Sequence, residues 1–265
     1  LAYYWAESPP PFPLHPRVVP FLTADRAQGY AAEFREEERR NQAGWAQVAG
    51  LTGTGASAPK GRRLGLYDYL DGVGFVVPRI WPHLLAEQIE QARWLGFTDY
   101  YGEASPNWGL DGPMMWLSTQ LTQGRGPVER LLAEYYAGYY GEAAAPMRRF
   151  FEGCEAQWLA QPGRPYWLKH YRNESQAGLY SSAVRRELRG LLTEADARVL
   201  GYWWGTQDAA PEPQHHPPVL HRPPAVLLPL EALLPRLLLP NSFLRLPPAA
   251  GSAMALASKL SQSVR

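Results

Sequence analysis

The chain has 265 residues, 46% of them apolar, and a formal net charge of +1. That length accommodates one large domain or two small ones with a real core. The near-neutral charge gives no basis for binding nucleic acid or an acidic membrane surface, and no run of about 18 apolar residues is present to span a bilayer.

Leu1 to Ala6 is apolar and aromatic and predicts a buried strand, with Glu7 and Ser8 at its end. The chain opens inside that strand, which predicts a C-terminal fragment of a longer protein; the compartment stays open, a secreted or periplasmic one included. Pro9 to Pro16 excludes helix and central strand. Val18 to Leu22 predicts a second strand, and Tyr30 to Val48 a charged helix with Phe34, Trp45 and Val48 on a thin apolar face. Gly50 to Gly61 predicts a loop. Leu64 to Tyr69 predicts a third strand, and Pro82 to Leu95 a helix with Leu84, Leu85, Ile89 and Ala92 inward and Gly96 as its stop. A fourth strand follows from Phe97 to Gly102. Strands alternating with helices predict a parallel sheet or barrel.

Beyond Gly112 the pattern is helical. Val128, Leu131, Leu132, Tyr135, Tyr136 and Tyr139 form one stripe, and Met147 to Trp158 a second. Cys154, the one cysteine, lies on that second stripe as a core residue and rules out an internal disulfide. Ser175 to Leu192 and Thr193 to Trp204 predict two more helices. Residues 209–265 hold 11 of the 26 prolines and none of the tryptophans or tyrosines, a composition that predicts disorder. The expected organisation is therefore 1–125 as the sheet-bearing part, 126–205 as a helical region, and 206–265 as a disordered Pro/Leu-rich tail.

Parallel α/β proteins place their sites where strands end. Polar residues at those positions are Glu7, Asp25, Asp68, Asp71, Glu103, Asn107 and Asp111. Glycoside hydrolysis needs two carboxyl groups, and sugar rings stack their C–H faces on aromatics such as Tyr67, Tyr69, Tyr100, Tyr101 and Trp108. Glu103, an acid ending an apolar strand, is the candidate general acid/base, and Asp68 its ionised partner. Asn107, Trp108, Tyr67, Tyr69, Asp111 and Glu7 are candidate substrate contacts. Other readings stand beside these: Asp71 before Gly72 as a turn former, and Asp111 as the cap of a helix with Pro113 at its first position. The histidines are scattered and no glycine motif cradles a phosphate, so neither a metal nor a cofactor is expected.

Tyr3-Tyr4-Trp5, Leu66-Tyr67-Asp68-Tyr69, and Glu103 through Asn107-Trp108-Gly109-Leu110-Asp111-Gly112-Pro113 resemble a bacterial domain-of-unknown-function family numbered 4838. Glu134-Tyr135-Tyr136, Tyr140-Gly141-Glu142-Ala143-Ala144 and Met147 fit the same pattern, and the match covers roughly residues 1–205. The resemblance implies a (β/α)8 TIM-type barrel of the glycoside-hydrolase kind followed by helices, with about the last four barrel strands present here. It implies a carbohydrate substrate and assigns no catalytic residues. Two rival readings are a non-catalytic carbohydrate-binding protein and a helical interaction module built on Val128 to Trp204.

Overall fold

The computed structural model describes residues 1–51, 62–70, 74–103, 108–164 and 174–208, with the backbone alone for Trp108 and 201–208. Three short strands, β1 (Phe21–Ala24), β2 (Gly65–Tyr69) and β3 (Asp99–Glu103), form one parallel sheet in the order β1-β2-β3. Register pairs Leu22 with Leu66 and Ala24 with Asp68 on one side, and Tyr67 with Tyr101 and Tyr69 with Glu103 on the other.

This open sheet overturns the expectation of four barrel strands. The segment at Leu1 to Ala6 is not a strand: Ala2 alone bridges to Leu22, and Tyr4–Ala6 is a 3-10 turn. The cause lies at Tyr4, whose φ of 51° leaves the extended region and ends pairing after one residue. The 265-residue chain is mixed α/β, and helices make up most of its described part.

Two helices cover one face of the sheet, α1 (Ala32–Val48) and α2 (Pro82–Trp94). Because side chains alternate along a strand, Leu22, Leu66 and Tyr100 point to this side. There they pack with Trp45, Ala46 and Ala49 from the end of α1 and Ala92 from α2. Both helices end in the same way. At the end of α2, Gly96 adopts φ +89°, its N–H reaches the Arg93 carbonyl, and the Phe97 N–H reaches that of Ala92. At the end of α1, Gly50 at φ +72° does the same with Gln47, and Leu51 with Ala46. These are Schellman closures, and the one at Gly96 aims the chain into β3. Tyr67, Tyr69, Tyr101 and Glu103 lie on the opposite face, and none of the four is fully buried.

The remaining helices are α3 (Trp108–Thr122), α4 (Val128–Tyr140), α5 (Ala144–Leu159) and α6 (Ser182–Asp208). One apolar cluster runs from Ala27 through Ile89, Met114, Leu131, Phe150 and Trp158 to Val199, so the helical layer shares its core with α2. Cys154 lies fully buried in it, and burial pushes its thiol up, away from reactivity. The two helices expected over 175–204 are one, after a 3-10 turn at Glu174–Leu179. Thr193 does not cap a new helix: its hydroxyl donates back to the Arg189 carbonyl at 3.1 Å inside α6.

Helix α3 begins five residues before the position expected from Pro113, which therefore stands inside the helix. Its missing N–H orphans the Gly109 carbonyl four residues back. The Tyr140 hydroxyl supplies the absent proton at 3.0 Å. Gly112 sits where any Cβ would overlap the Tyr135 hydroxyl. Two sequence motifs, Gly109 to Pro113 and Tyr135 to Tyr140, thus fit each other.

Among the described residues no helix is long and apolar enough to cross a membrane. Residues 209–265 of the expected tail, most of the Gly50 to Gly61 loop, Asp71 and Asn107 lie outside the described residues, while 206–208 continue α6.

Candidate functional site

The carboxyl ends of the strands gather one acid and several tyrosines. Glu103 is the last residue of β3, and its Oε2 accepts the Tyr67 hydroxyl at 2.6 Å. The Tyr67 ring stacks on Tyr101 with centroids 4.6 Å apart and planes 22° from parallel, and meets Tyr69 edge-on at 5.6 Å. Burial, then the hydrogen bond to Glu103 and its charge, hold the Tyr67 hydroxyl well above its ordinary range, so it stays a donor. Tyr101 keeps 52% of its surface in solvent.

The N-terminal segment joins this group. Tyr69 is raised by burial and by the Glu103 charge, while a hydrogen bond with Tyr3 pulls the other way. The Tyr3 and Tyr4 rings meet tilted by 47° with centroids 4.1 Å apart, and Tyr4 leads to a fully exposed Trp5. Tyr4 holds the left-handed backbone that ends the Ala2 bridge. A non-glycine residue there is strained by about 1 kcal/mol or more, and such strain clusters at binding sites. Tyr3 and Tyr4 join the candidate site although strand-end acids do not reveal them; the signal is the aromatic run Tyr3-Tyr4-Trp5 beside a parallel strand.

Asp68 does not join Glu103. Strand alternation sends it to the helix-covered face, where it is 1% exposed. Its Oδ1 contacts the Arg26 guanidinium, itself wholly buried. Arg26 also donates from Nε to Glu38 Oε1 at 2.8 Å and to the carbonyls of Tyr67 and Leu22, each at 3.0 Å. Burial draws the guanidinium pKa down, and Glu38 and Asp68 outweigh it, so Arg26 keeps its proton at every accessible pH. For Asp68 burial wins, and its carboxyl is raised despite Arg26. Asp68 is thus a strut tying β2 to the Arg26 turn and α1, remote from solvent and from any ligand on the tyrosine face.

The other predicted contacts divide. Glu7 is exposed after the 3-10 turn, and its backbone carbonyl accepts Trp45 Nε1 at 2.8 Å. Asp25 ends β1 but is buried, 3.9 Å from Arg79, whose guanidinium lies over the Phe75 ring at 3.7 Å. Asp111 is buried in the first turn of α3, where its charge acts on Tyr135 in the helical layer. Trp108 is the first residue of α3. Among the described residues no group of three His, Cys, Asp or Glu side chains is arranged to hold a metal ion.

Comparison with protein-family models, with curated proteins and with solved structures finds no match to this chain.

Proposed function

We propose that the carboxyl edge of the sheet binds carbohydrate and does not hydrolyse it. One observation carries the reading: the Tyr67 hydroxyl fixes Glu103 Oε2, while Tyr101, stacked on Tyr67, offers half its surface to solvent. A sugar presents two complementary surfaces, hydroxyls that donate and a C–H face that stacks. With Oε2 occupied, Glu103 Oε1 accepts a sugar hydroxyl and Tyr101 takes the ring face. Tyr69, Tyr3 and Tyr4 extend the aromatic shelf toward Trp5. The resemblance of these segments to the family numbered 4838 supports the same ligand class. Most glycoside hydrolases use a second carboxyl group across the bond to be broken, and the one expected among the described residues, Asp68, is buried on the other face of the sheet in an ion pair.

Affinity electrophoresis against soluble polysaccharides, followed by calorimetry with oligosaccharides of the retained one, tests the reading. Retention is expected, with Tyr101→Ala and Glu103→Gln each weakening it roughly tenfold, the equivalent of about 1.4 kcal/mol. Binding unchanged in both variants would place the ligand elsewhere, and turnover of the retained polysaccharide would restore the hydrolase reading.

A further inference from the structure

His83 occupies the second position of α2, at the junction with α4 and α5. Each ring nitrogen faces a carboxylate oxygen at 2.7 Å: Nδ1 faces Oε2 of Glu155 on α5, and Nε2 faces Oε1 of Glu129 in the first turn of α4. The other oxygen of Glu155 accepts the backbone N–H of His83 at 3.1 Å. The N-cap residue of α2, Trp81, makes no side-chain cap bond, so a residue of α5 caps it instead.

A neutral imidazole has one N–H and one lone pair. Between two ionised carboxylates it bonds one and turns its lone pair on the other. Only the imidazolium donates to both. We propose that His83 is a proton-operated latch that binds the start of α2 to α5 and to the first turn of α4 when charged and lets that turn of α4 go when neutral. Glu155 is the partner retained, because its side chain is 8% exposed and held at two points, whereas that of Glu129 is 62% exposed and free to turn into water.

The surrounding charges favour the imidazolium. From α5 come Glu155, Glu152 and Arg148, and Arg148 lies 3.4 Å from Glu129 and 2.6 Å from Glu152. From α4 comes Glu129, and from α2 itself Glu87 and Glu90 with Arg93. Carboxylates outnumber cations, which offsets the unfavourable placing of a cation in the first turn of a helix. Burial draws the His83 pKa down, but the bonds and charges of Glu129 and Glu155 outweigh it and the net direction is up. The carboxylates move oppositely: Glu129 is lowered by His83, while burial raises Glu155. The folded junction therefore holds its proton more tightly than the unfolded chain does. The stability it adds is complete below the ordinary histidine range, near 6.5, and is lost as pH rises through the higher folded value. A groove of about 530 Å³ lined by His83, Glu87, Arg93 and Gly126–Val128 abuts the latch, so release of the first turn of α4 moves one of its walls.

NMR titration of the His83 ring in the full chain tests this, together with urea midpoints measured from acid to mildly alkaline pH. His83 is expected to titrate above about 6.5, and Glu129→Gln to lower that midpoint by about 0.2–0.7 of a unit, the equivalent of one exposed ion pair. The wild-type urea midpoint should fall toward that of His83→Gln as pH rises. Titration at or below the ordinary value, or a midpoint untouched by Glu129→Gln, overturns the latch. The exposed Glu129 site keeps the test decisive even where His83→Gln fails to fold.

Discussion

The Tyr140 hydroxyl donates to the Gly109 carbonyl, the one oxygen in α3 that Pro113 leaves without its helical partner. The two residues are 31 positions apart, and the bond lies in the buried seam between α3 and α4. Tyr140→Phe should cost about 1–3 kcal/mol, because a buried carbonyl is left unsatisfied. Adding Pro113→Ala restores a backbone N–H at the right place and should remove much of that cost. A double-mutant cycle in urea measures the coupling; strictly additive effects would refute it.

Gly112→Ala offers a contest of signs. Alanine in a helix interior is ordinarily favoured over glycine by about 0.5–1 kcal/mol. Here its methyl would overlap the hydroxyl of Tyr135, a ring stacked on Tyr139 at 5.3 Å and packed in the core. The expected outcome is a net loss of about 1–3 kcal/mol, relieved in part by Tyr135→Phe. A thermal melt of the two variants suffices to check it.

Arg26→Met is expected to be among the most damaging single changes. It strips the counterion from Glu38 and Asp68 together and removes one of the donors to the carbonyls of Leu22 and Tyr67. Breaking a buried pair from one side costs about 3–5 kcal/mol. Chemical denaturation should show that loss at neutral pH. It should shrink in acid, where the raised Asp68 carboxyl takes up a proton and no longer needs its partner.

Tyr67→Phe separates fold from binding. The ring and its stack on Tyr101 survive, while Glu103 loses the bond that holds its Oε2. Stability should change by no more than about 0.5–1.5 kcal/mol. Carbohydrate affinity should fall several-fold, read by calorimetry with the ligand that the wild-type chain retains.

The helices are legible because their apolar residues recur at helical spacing: Leu84, Leu85, Ile89 and Ala92 in α2 all prove buried. The stop at Gly96 is legible too, since only a left-handed position demands a glycine there. The aromatic start at Leu1 to Ala6 misleads, because strand propensity does not reveal that Tyr4 will turn left-handed. Asp68 misleads in another way. Its two tyrosine neighbours suggest a ligand face, yet period-two alternation places an intervening residue on the opposite side. What makes its burial tolerable is Arg26, 42 positions earlier, and no local pattern announces a partner at that range. Pro113 reads as a helix start for the same reason, since the tyrosine that excuses it belongs to another helix.

Among the described residues helices clothe one side of the sheet, and the other side behaves as an open shelf. Deep pockets enclose most of a ligand's surface and hold it by slowing its departure. Tyr101, with 52% of its surface in water, cannot do that. A single sugar unit laid on it would leave quickly, but the next unit of the same polymer would already be within reach, so effective concentration rather than enclosure would set occupancy. Such a surface suits a glycan long enough to rebind before it escapes.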